Sequence, residues 1–234
     1  RVRCLQPAMA GHLRGRPVRT DRRLHHSVSG RHPGNHQAHP GQALTFEDVL
    51  ALAGRATAGS KGLVCLPFFA GERSPNWNLN ARAVFFGMTL DHDARHLARS
   101  LLEGIAFRFR SLYEMLTGLG VEVEQVIASG GFTKSDLWVQ VITDALNRKL
   151  VAPVWGETSS LGAAFWAMLA AGKVDSIEAF RDYVRLGKAY RPNRKDAAVY
   201  DRVYPIYARI YRALEGSFDE VARLQREIGG NHGS

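Results

Sequence analysis

The chain has 234 residues, of which 45% are apolar, and this is enough to bury a sizeable core in one large domain or two small ones. Its longest apolar helix candidate, residues 161–171, is about half as long as a bilayer span, so a membrane protein is not expected. The first residues are rich in Arg without a following apolar block, and no signal peptide is predicted. Cys4 and Cys65 form neither a disulfide framework nor a metal-ligand spacing, which predicts a cytoplasmic protein.

The net charge of +9 is concentrated in residues 1–41, which hold eight Arg and one Asp and therefore carry +7, leaving +2 for the other 193 residues. This segment has no aromatic residue but six of the nine His, with four Pro and five Gly. Such a composition cannot bury enough apolar surface to offset its ordering entropy, so we predict a disordered, non-native basic leader, which we interpret as an out-of-frame product.

Two functional alternatives remain open for this leader. Its Arg residues could bind nucleic-acid phosphates, although the absence of aromatic residues argues against single-stranded binding, and nucleic acid is not the expected partner. Its histidines could instead bind a metal ion. The histidines concerned are His25, His26, His32, His36 and His39.

From residue 42 the pattern becomes regular, and helices alternate with strands. Thr45 is a plausible N-cap for the first helix. Helices are predicted over 45–53, 91–119, 159–171, 177–184 and from about 196, and strands over 63–69, 81–88, 126–128 and 149–154. Pro205 should kink or break the last helix, while its tyrosines at 200, 204, 207 and 211 form a packing stripe. The alternation predicts a layered α/β domain over 42–214, with flanking helices, followed by a helix end and tail at 215–234.

The central stretch, residues 127–146, reads IASGGFTKSDLWVQVITDAL. A short apolar strand is followed by Gly130 and Gly131, and then by an amphipathic helix. Glycine permits close approach of a ligand to the backbone, and the following helix N-terminus offers unpaired N–H groups. The pattern is typical of a nucleotide contact, but it is also typical of a simple tight turn.

Four ordered segments resemble the C-terminal domain of the FGGY carbohydrate kinases, with gluconokinases more similar than xylulokinases. These segments are GERSPNWNLNARAVFFG at 71–87, MTLDHDARHLARSLLEGIAF at 88–107, GGFTKSDLW at 130–138 and ETSSLGAAFWAMLAAG at 157–172. The resemblance extends from residue 45 to about 214. It implies a ribonuclease-H-like, actin-like ATPase fold, ATP and Mg²⁺ as cofactors, a sugar or sugar acid as substrate, and homo-oligomerisation as an option.

The same resemblance implies that the chain by itself is inactive. The family's Asp-x-Gly-Thr phosphate loop occurs nowhere in the sequence, and no catalytic base or metal ligand is assigned. The alternatives are a catalytically silent nucleotide-binding or dimerisation module and an Arg-rich nucleic-acid-binding protein built on a kinase relic.

The resemblance also implies positions for the ligands. Gly130 and Gly131 would lie against adenosine, Ser135 would contact the base, and Gly162 would pack close to that turn. The structural alternatives are a tight turn, an N-cap and a helix-packing glycine. A second set would face the sugar and consists of Glu72, Arg73 and Trp77. The structural alternative is a loop whose polar groups bond to one another, with Glu72 and Arg73 in surface ion pairs.

Two further pairs are interpreted structurally. Glu103 lies one helical turn after Arg99 and is expected to pair with it. His92 and His96 have an acceptable metal spacing, but no third ligand is evident, so we expect a solvated helix face.

Overall fold

The computed structural model describes residues 3–5, 44–154 and 158–230. Within these ranges the helices are α1 (Phe46–Ala53), α2 (Ala94–Gly118), α3 (Asp136–Leu146), α4 (Thr158–Ala170), α5 (Phe180–Tyr183) and α6 (Arg194–Gly230). The strands are β1 (Arg3–Leu5), β2 (Val64–Leu66), β3 (Val84–Phe86), β4 (Val126–Ala128), β5 (Leu150–Pro153) and β6 (Leu186–Tyr190). Short 3₁₀ turns lie at Ser60–Gly62, Gly131–Lys134 and Ile177–Ala179.

The larger sheet has the strand order β1-β4-β5-β6. Strands β1, β4 and β5 are parallel, and β6 is antiparallel to β5. Strand β4 is buried along its whole length, which fits its continuous apolar sequence. Strands β2 and β3 form a separate antiparallel pair. Because β4 and β5 are parallel neighbours, their carboxyl ends lie at the same edge of the sheet.

Most of the predicted leader, residues 6–41, lies outside the described residues, so its disorder stays a prediction there. Residues 3–5 differ from that prediction, because they form β1, with Cys4 opposite Ile127 on β4. The physical reason is that β4 would otherwise present an unpaired edge of backbone N–H and C=O groups, which any short extended segment can satisfy.

Helix α2 is the centre of the core, and it packs against α1, α3 and β2. It begins at the N-cap Asp93, whose carboxylate accepts the Arg95 N–H at 2.9 Å. His96 is buried and its Nδ1 accepts the Asp93 N–H at 3.2 Å, so the expected solvated face is wrong for this histidine. The predicted Arg99–Glu103 pair is confirmed, with Nε and Oε1 2.9 Å apart.

The tyrosines of α6 pack against α2, as the sequence predicted. The ring centroids of Tyr200, Tyr204 and Tyr207 lie 5.5–5.9 Å from that of Phe107. The helix continues through Pro205, so the predicted break does not occur. Proline removes one N–H, and the aromatic contacts on both sides of it hold the helix together.

Strand β6 was not predicted, since its sequence LGKAY lacks an apolar alternation and only Tyr190 is buried. It joins the sheet by pairing its backbone with β5, with Tyr190 opposite Leu150. None of the helices in the described part of the chain is long and apolar enough to cross a membrane.

Candidate functional site

The glycine turn, which we define as residues 129–135, leaves β4 at the carboxyl end of the sheet. Gly130 has φ 113° and ψ −178°, a conformation that essentially only glycine adopts. Its carbonyl accepts the Thr133 N–H at 3.0 Å and the Thr133 hydroxyl at 2.7 Å. The Gly130 position is therefore fixed by the backbone, independently of any ligand.

Gly131 differs from Gly130, because its φ is not in the left-handed region and a Cβ placed on it meets no described heavy atom within 4 Å. Phe132, next to it, is buried between Phe109 and Trp138, with ring centroids 5.8 and 6.0 Å away. Among the residues that the structure describes, the turn is thus anchored from below by Phe132 and is open above Gly131. This open backbone is the kind of surface against which a flat ligand can lie.

Ser135 is the N-cap of α3, and its hydroxyl accepts the Trp138 N–H at 3.3 Å. Asp136 follows at the first helical position, where its carboxylate accepts the Tyr190 hydroxyl at 2.6 Å and lies 2.7 Å from Lys188 Nζ. These partners, Lys188 first, lower the pKa of Asp136. The N-cap alternative for Ser135 is confirmed, and Asp136 is held as a carboxylate beside the turn.

Gly162 lies in α4, which follows β5 in the chain as α3 follows β4. However, a Cβ placed on Gly162 also meets no described heavy atom within 4 Å, so the expected close packing against the glycine turn is not observed. In the described residues α4 is held mainly by Phe165, which contacts Phe180 and Tyr183 at 5.0 and 5.5 Å. Residues 159–162 of its first turn are exposed or half-buried.

The second set of predicted residues lies in a different place, the 71–80 loop between β2 and β3. Glu72 is only 1% exposed, and its carboxylate accepts the Asn76 N–H at 3.1 Å and forms an ion pair with Arg108 of α2. Burial lowers the pKa of Arg108, and Glu72 opposes that shift. The surface-pair alternative is therefore wrong for Glu72, because this carboxylate is buried and holds the loop from inside.

Arg73 and Trp77 are the exposed members of this loop. Trp77 is 73% exposed, and its φ of 54° lies in the left-handed region, which is unusual for a bulky side chain. Arg73 is also exposed, and in the described part of the chain it has no ion-pair partner. Both side chains are available to a ligand or a partner.

Neighbouring residues of α2 anchor the two candidate elements. Arg108 pairs with Glu72 of the loop, and Phe109 packs on Phe132 of the glycine turn. Sequence reasoning did not assign Arg108, which lies 36 positions from Glu72. The only sequence signal was a charged residue set between two apolar ones, Phe107 and Phe109.

The carboxylate of Asp144, in α3, is buried and engaged in hydrogen bonds, so it is not placed to act as a catalytic base. Asp144 is 1% exposed, and it accepts the Asn193 N–H and the Gln140 amide, each at 2.7 Å, which ties α6 to α3. Burial raises its pKa. Within the described ranges no group of three or more His, Cys, Asp or Glu could hold a metal ion, and no Mg²⁺ ligand set is assigned.

The sequence of this chain is similar to those of known proteins. A family model described as the FGGY family of carbohydrate kinases, C-terminal domain, matches residues 6–171 and so begins inside the predicted leader. A gluconokinase of Bacillus subtilis is 37% identical over 185 residues, covering 77% of this chain and 36% of the relative.

Two solved structures agree with this match. A gluconate kinase and a ligand-bound xylulose kinase, both from Lactobacillus acidophilus, each have a TM-score of 0.69 and 34% identity, over 76% of this chain and 36% of theirs. The chain thus spans about a third of the length of the relatives it matches.

Proposed function

This chain belongs to the FGGY family of carbohydrate kinases, in which it corresponds to the C-terminal domain, and on that premise we propose that it supplies the adenosine side of an ATP-dependent sugar kinase. Its fold is the actin-like ATPase fold of the solved FGGY kinases, as the sequence predicted. The observation that supports the proposal best is the open backbone at Gly131, at the carboxyl edge of parallel strands.

In this proposal Gly130 and Gly131 lie against adenosine, and the first turn of α4, with Gly162, borders the same ligand. Ser135 contacts the base with the part of its hydroxyl that the N-cap bond leaves free, since a hydroxyl has one donor and two acceptor sites. ATP would bring Mg²⁺ through its phosphates, and the metal would be held with groups outside the set described here. The full enzyme would transfer the γ-phosphoryl group to a sugar hydroxyl.

We propose gluconate over xylulose as the substrate, supported by 37% identity to a gluconokinase against 29% to a xylulose kinase of Staphylococcus epidermidis, while the two solved Lactobacillus kinases, each 34% identical, do not separate the substrates. The 71–80 loop is the proposed sugar-side element. The cytoplasmic location, the separate leader at 1–41 and assembly into a homo-oligomer stay predictions. A silent nucleotide-binding module is the second candidate, supported by the predicted lack of a phosphate loop.

The test is ADP binding to Gly131 variants, measured by isothermal titration calorimetry. We expect Gly131→Ala and Gly131→Val to fold with nearly unchanged stability, because the new side chain enters open space and the backbone is not in the left-handed region. Their ADP affinity should fall about tenfold or more, with Val the weaker binder.

Gly130→Ala is the matched control for the backbone effect. It should lose about 1–3 kcal/mol of stability, because φ at that position is 113°. An unchanged ADP affinity in folded Gly131→Val protein would contradict the adenosine assignment. ADP binding by the wild type without kinase activity is expected for both candidate functions and does not distinguish them.

A further inference from the structure

The 71–80 loop is closed and supported from beneath rather than left free. The Glu72 N–H donates to the Asn78 carbonyl at 2.8 Å, and the Ala81 N–H donates to the same oxygen at 3.1 Å. A Cβ placed on Gly71 would lie 2.5 Å from the Leu79 carbonyl oxygen, so the two ends of the loop are pressed together where only glycine fits. The loop therefore has a fixed shape.

The buried pair of Arg108 and Glu72 fastens this shape to α2. The Glu72 carboxylate faces inward and also accepts the Asn76 N–H at 3.1 Å, so one charge organises both the base of the loop and its interior. The Arg108 guanidinium lies 5.8 Å from the Phe68 ring centroid, at the end of the run that follows β2. Such a pair positions groups more than it adds stability, because desolvation offsets most of its attraction.

The loop presents its two largest side chains to solvent. Trp77 is 73% exposed in a left-handed backbone conformation, and an exposed apolar ring held in a strained backbone indicates a binding role. Arg73, four positions earlier, brings a guanidinium to the same short loop. An indole face suits the C–H surface of a polyol, and a guanidinium fork suits a carboxylate. The combination matches a sugar acid better than a neutral sugar.

We propose that Arg108 is a positioning residue which, through Glu72, holds Trp77 and Arg73 at the surface as a binding pair for a sugar acid. This inference rests on the proposed function of the chain and deepens it, by assigning the substrate class to a pair of side chains. Arg108 itself does not touch the substrate.

The positioning role is tested by fluorine NMR on full chain labelled with 5-fluorotryptophan, with the Trp77 resonance assigned from Trp77→Phe. We expect Arg108→Met to shift or broaden the Trp77 resonance while the Trp138 resonance stays unchanged. Arg108→Lys keeps the positive charge, so its Trp77 resonance should lie closer to that of the wild type. Arg110→Met is the matched control, since Arg110 is a neighbouring α2 arginine that pairs with Glu114 and Asp201.

Arg108→Met leaves the Glu72 charge buried alone, so that variant could fail to fold. The double variant Arg108→Met/Glu72→Met removes both charges, so it leaves no unpaired buried charge and allows the Trp77 resonance to be measured in folded protein. A Trp77 resonance that is identical to wild type in folded double-variant protein would overturn the positioning role of Arg108.

The sugar-acid assignment is tested by titrating sodium gluconate against sodium chloride of equal concentration, with xylitol as the neutral polyol. We expect gluconate to shift the Trp77 resonance, and the response to weaken about tenfold in Arg73→Gln and in Arg108→Met, while the xylitol response changes little in Arg73→Gln. A gluconate response equal to that of sodium chloride would overturn the assignment. ADP binding that persists in that case would show that the proposed nucleotide function stands, and its absence would show that the proposed function itself fails.

Discussion

Glu103 provides the sharpest test of how this fold is held together. Its carboxylate is 1% exposed and accepts four hydrogen bonds, from the Gly59 N–H at 2.9 Å, the Ser60 hydroxyl at 2.8 Å, Arg99 Nε at 2.9 Å and the Tyr200 hydroxyl at 3.0 Å. The Tyr200 hydroxyl in turn lies 2.7 Å from Arg99 Nη2. One side chain therefore joins α2, the Ser60–Gly62 turn and α6.

Removing this carboxylate should lower the free energy of unfolding strongly, because Arg99 is only 6% exposed and would keep a buried charge without its ion-pair partner. Breaking a buried ion pair from one side costs about 3–5 kcal/mol, against a total stability of about 5–15 kcal/mol for a domain. Glu103→Gln keeps the shape and an acceptor oxygen but loses the charge, so an intermediate loss of about 1.5–3 kcal/mol is expected. The double variant Arg99→Met/Glu103→Leu should lose less than Glu103→Ala, since no charge is stranded.

Urea unfolding followed by circular dichroism measures these differences. With a slope of about 2 kcal/mol per M urea, Glu103→Ala should unfold at a midpoint about 1.5–2.5 M lower than wild type. Glu122→Ala is the control, because Glu122 is an exposed carboxylate whose removal should change stability by no more than about 0.5 kcal/mol. If Glu103→Ala and Glu122→Ala unfold at the same urea midpoint, the hydrogen bonds of Glu103 do not stabilise the fold by the amount predicted.

Two further predictions concern pH and catalysis. Arg95 lowers the pKa of Asp93 below its ordinary 3.8, so Asp93 stabilises the fold above that value and the effect is lost as the pH falls through the lower folded pKa. Asp93→Asn should thus cost up to about 1 kcal/mol at pH 7 and less near pH 2, where only part of the contribution remains, and an equal cost at both in urea titrations would refute this. The 234-residue chain by itself should not phosphorylate gluconate, xylulose or glycerol in a coupled ADP-release assay, and sugar-dependent turnover near ~1 s⁻¹ would contradict that.

Local sequence patterns determined the helices and the glycine turn. Thr45 begins the helix that it was expected to begin, and Ser135 takes the N-cap role that was its structural alternative, because a side-chain acceptor next to free N–H groups acts over three residues. The order of the motifs determined the family and the fold, and the double glycine after a buried strand determined the turn at residues 129–135, where ligand contact stays a prediction. All of these depend on neighbours in the chain.

Tertiary structure alone decided which side chains meet across long separations. Nothing near Glu72 in sequence predicts that it is buried against Arg108, or that Tyr200 completes the bonds of Glu103, since each pair is brought together by packing of α2 with distant segments. The same applies to β6, which has no apolar alternation and exists because β5 offers it a backbone edge. Hydrogen-bonding partners of buried charges and sheet edges are properties of the folded chain, and a local pattern cannot encode them.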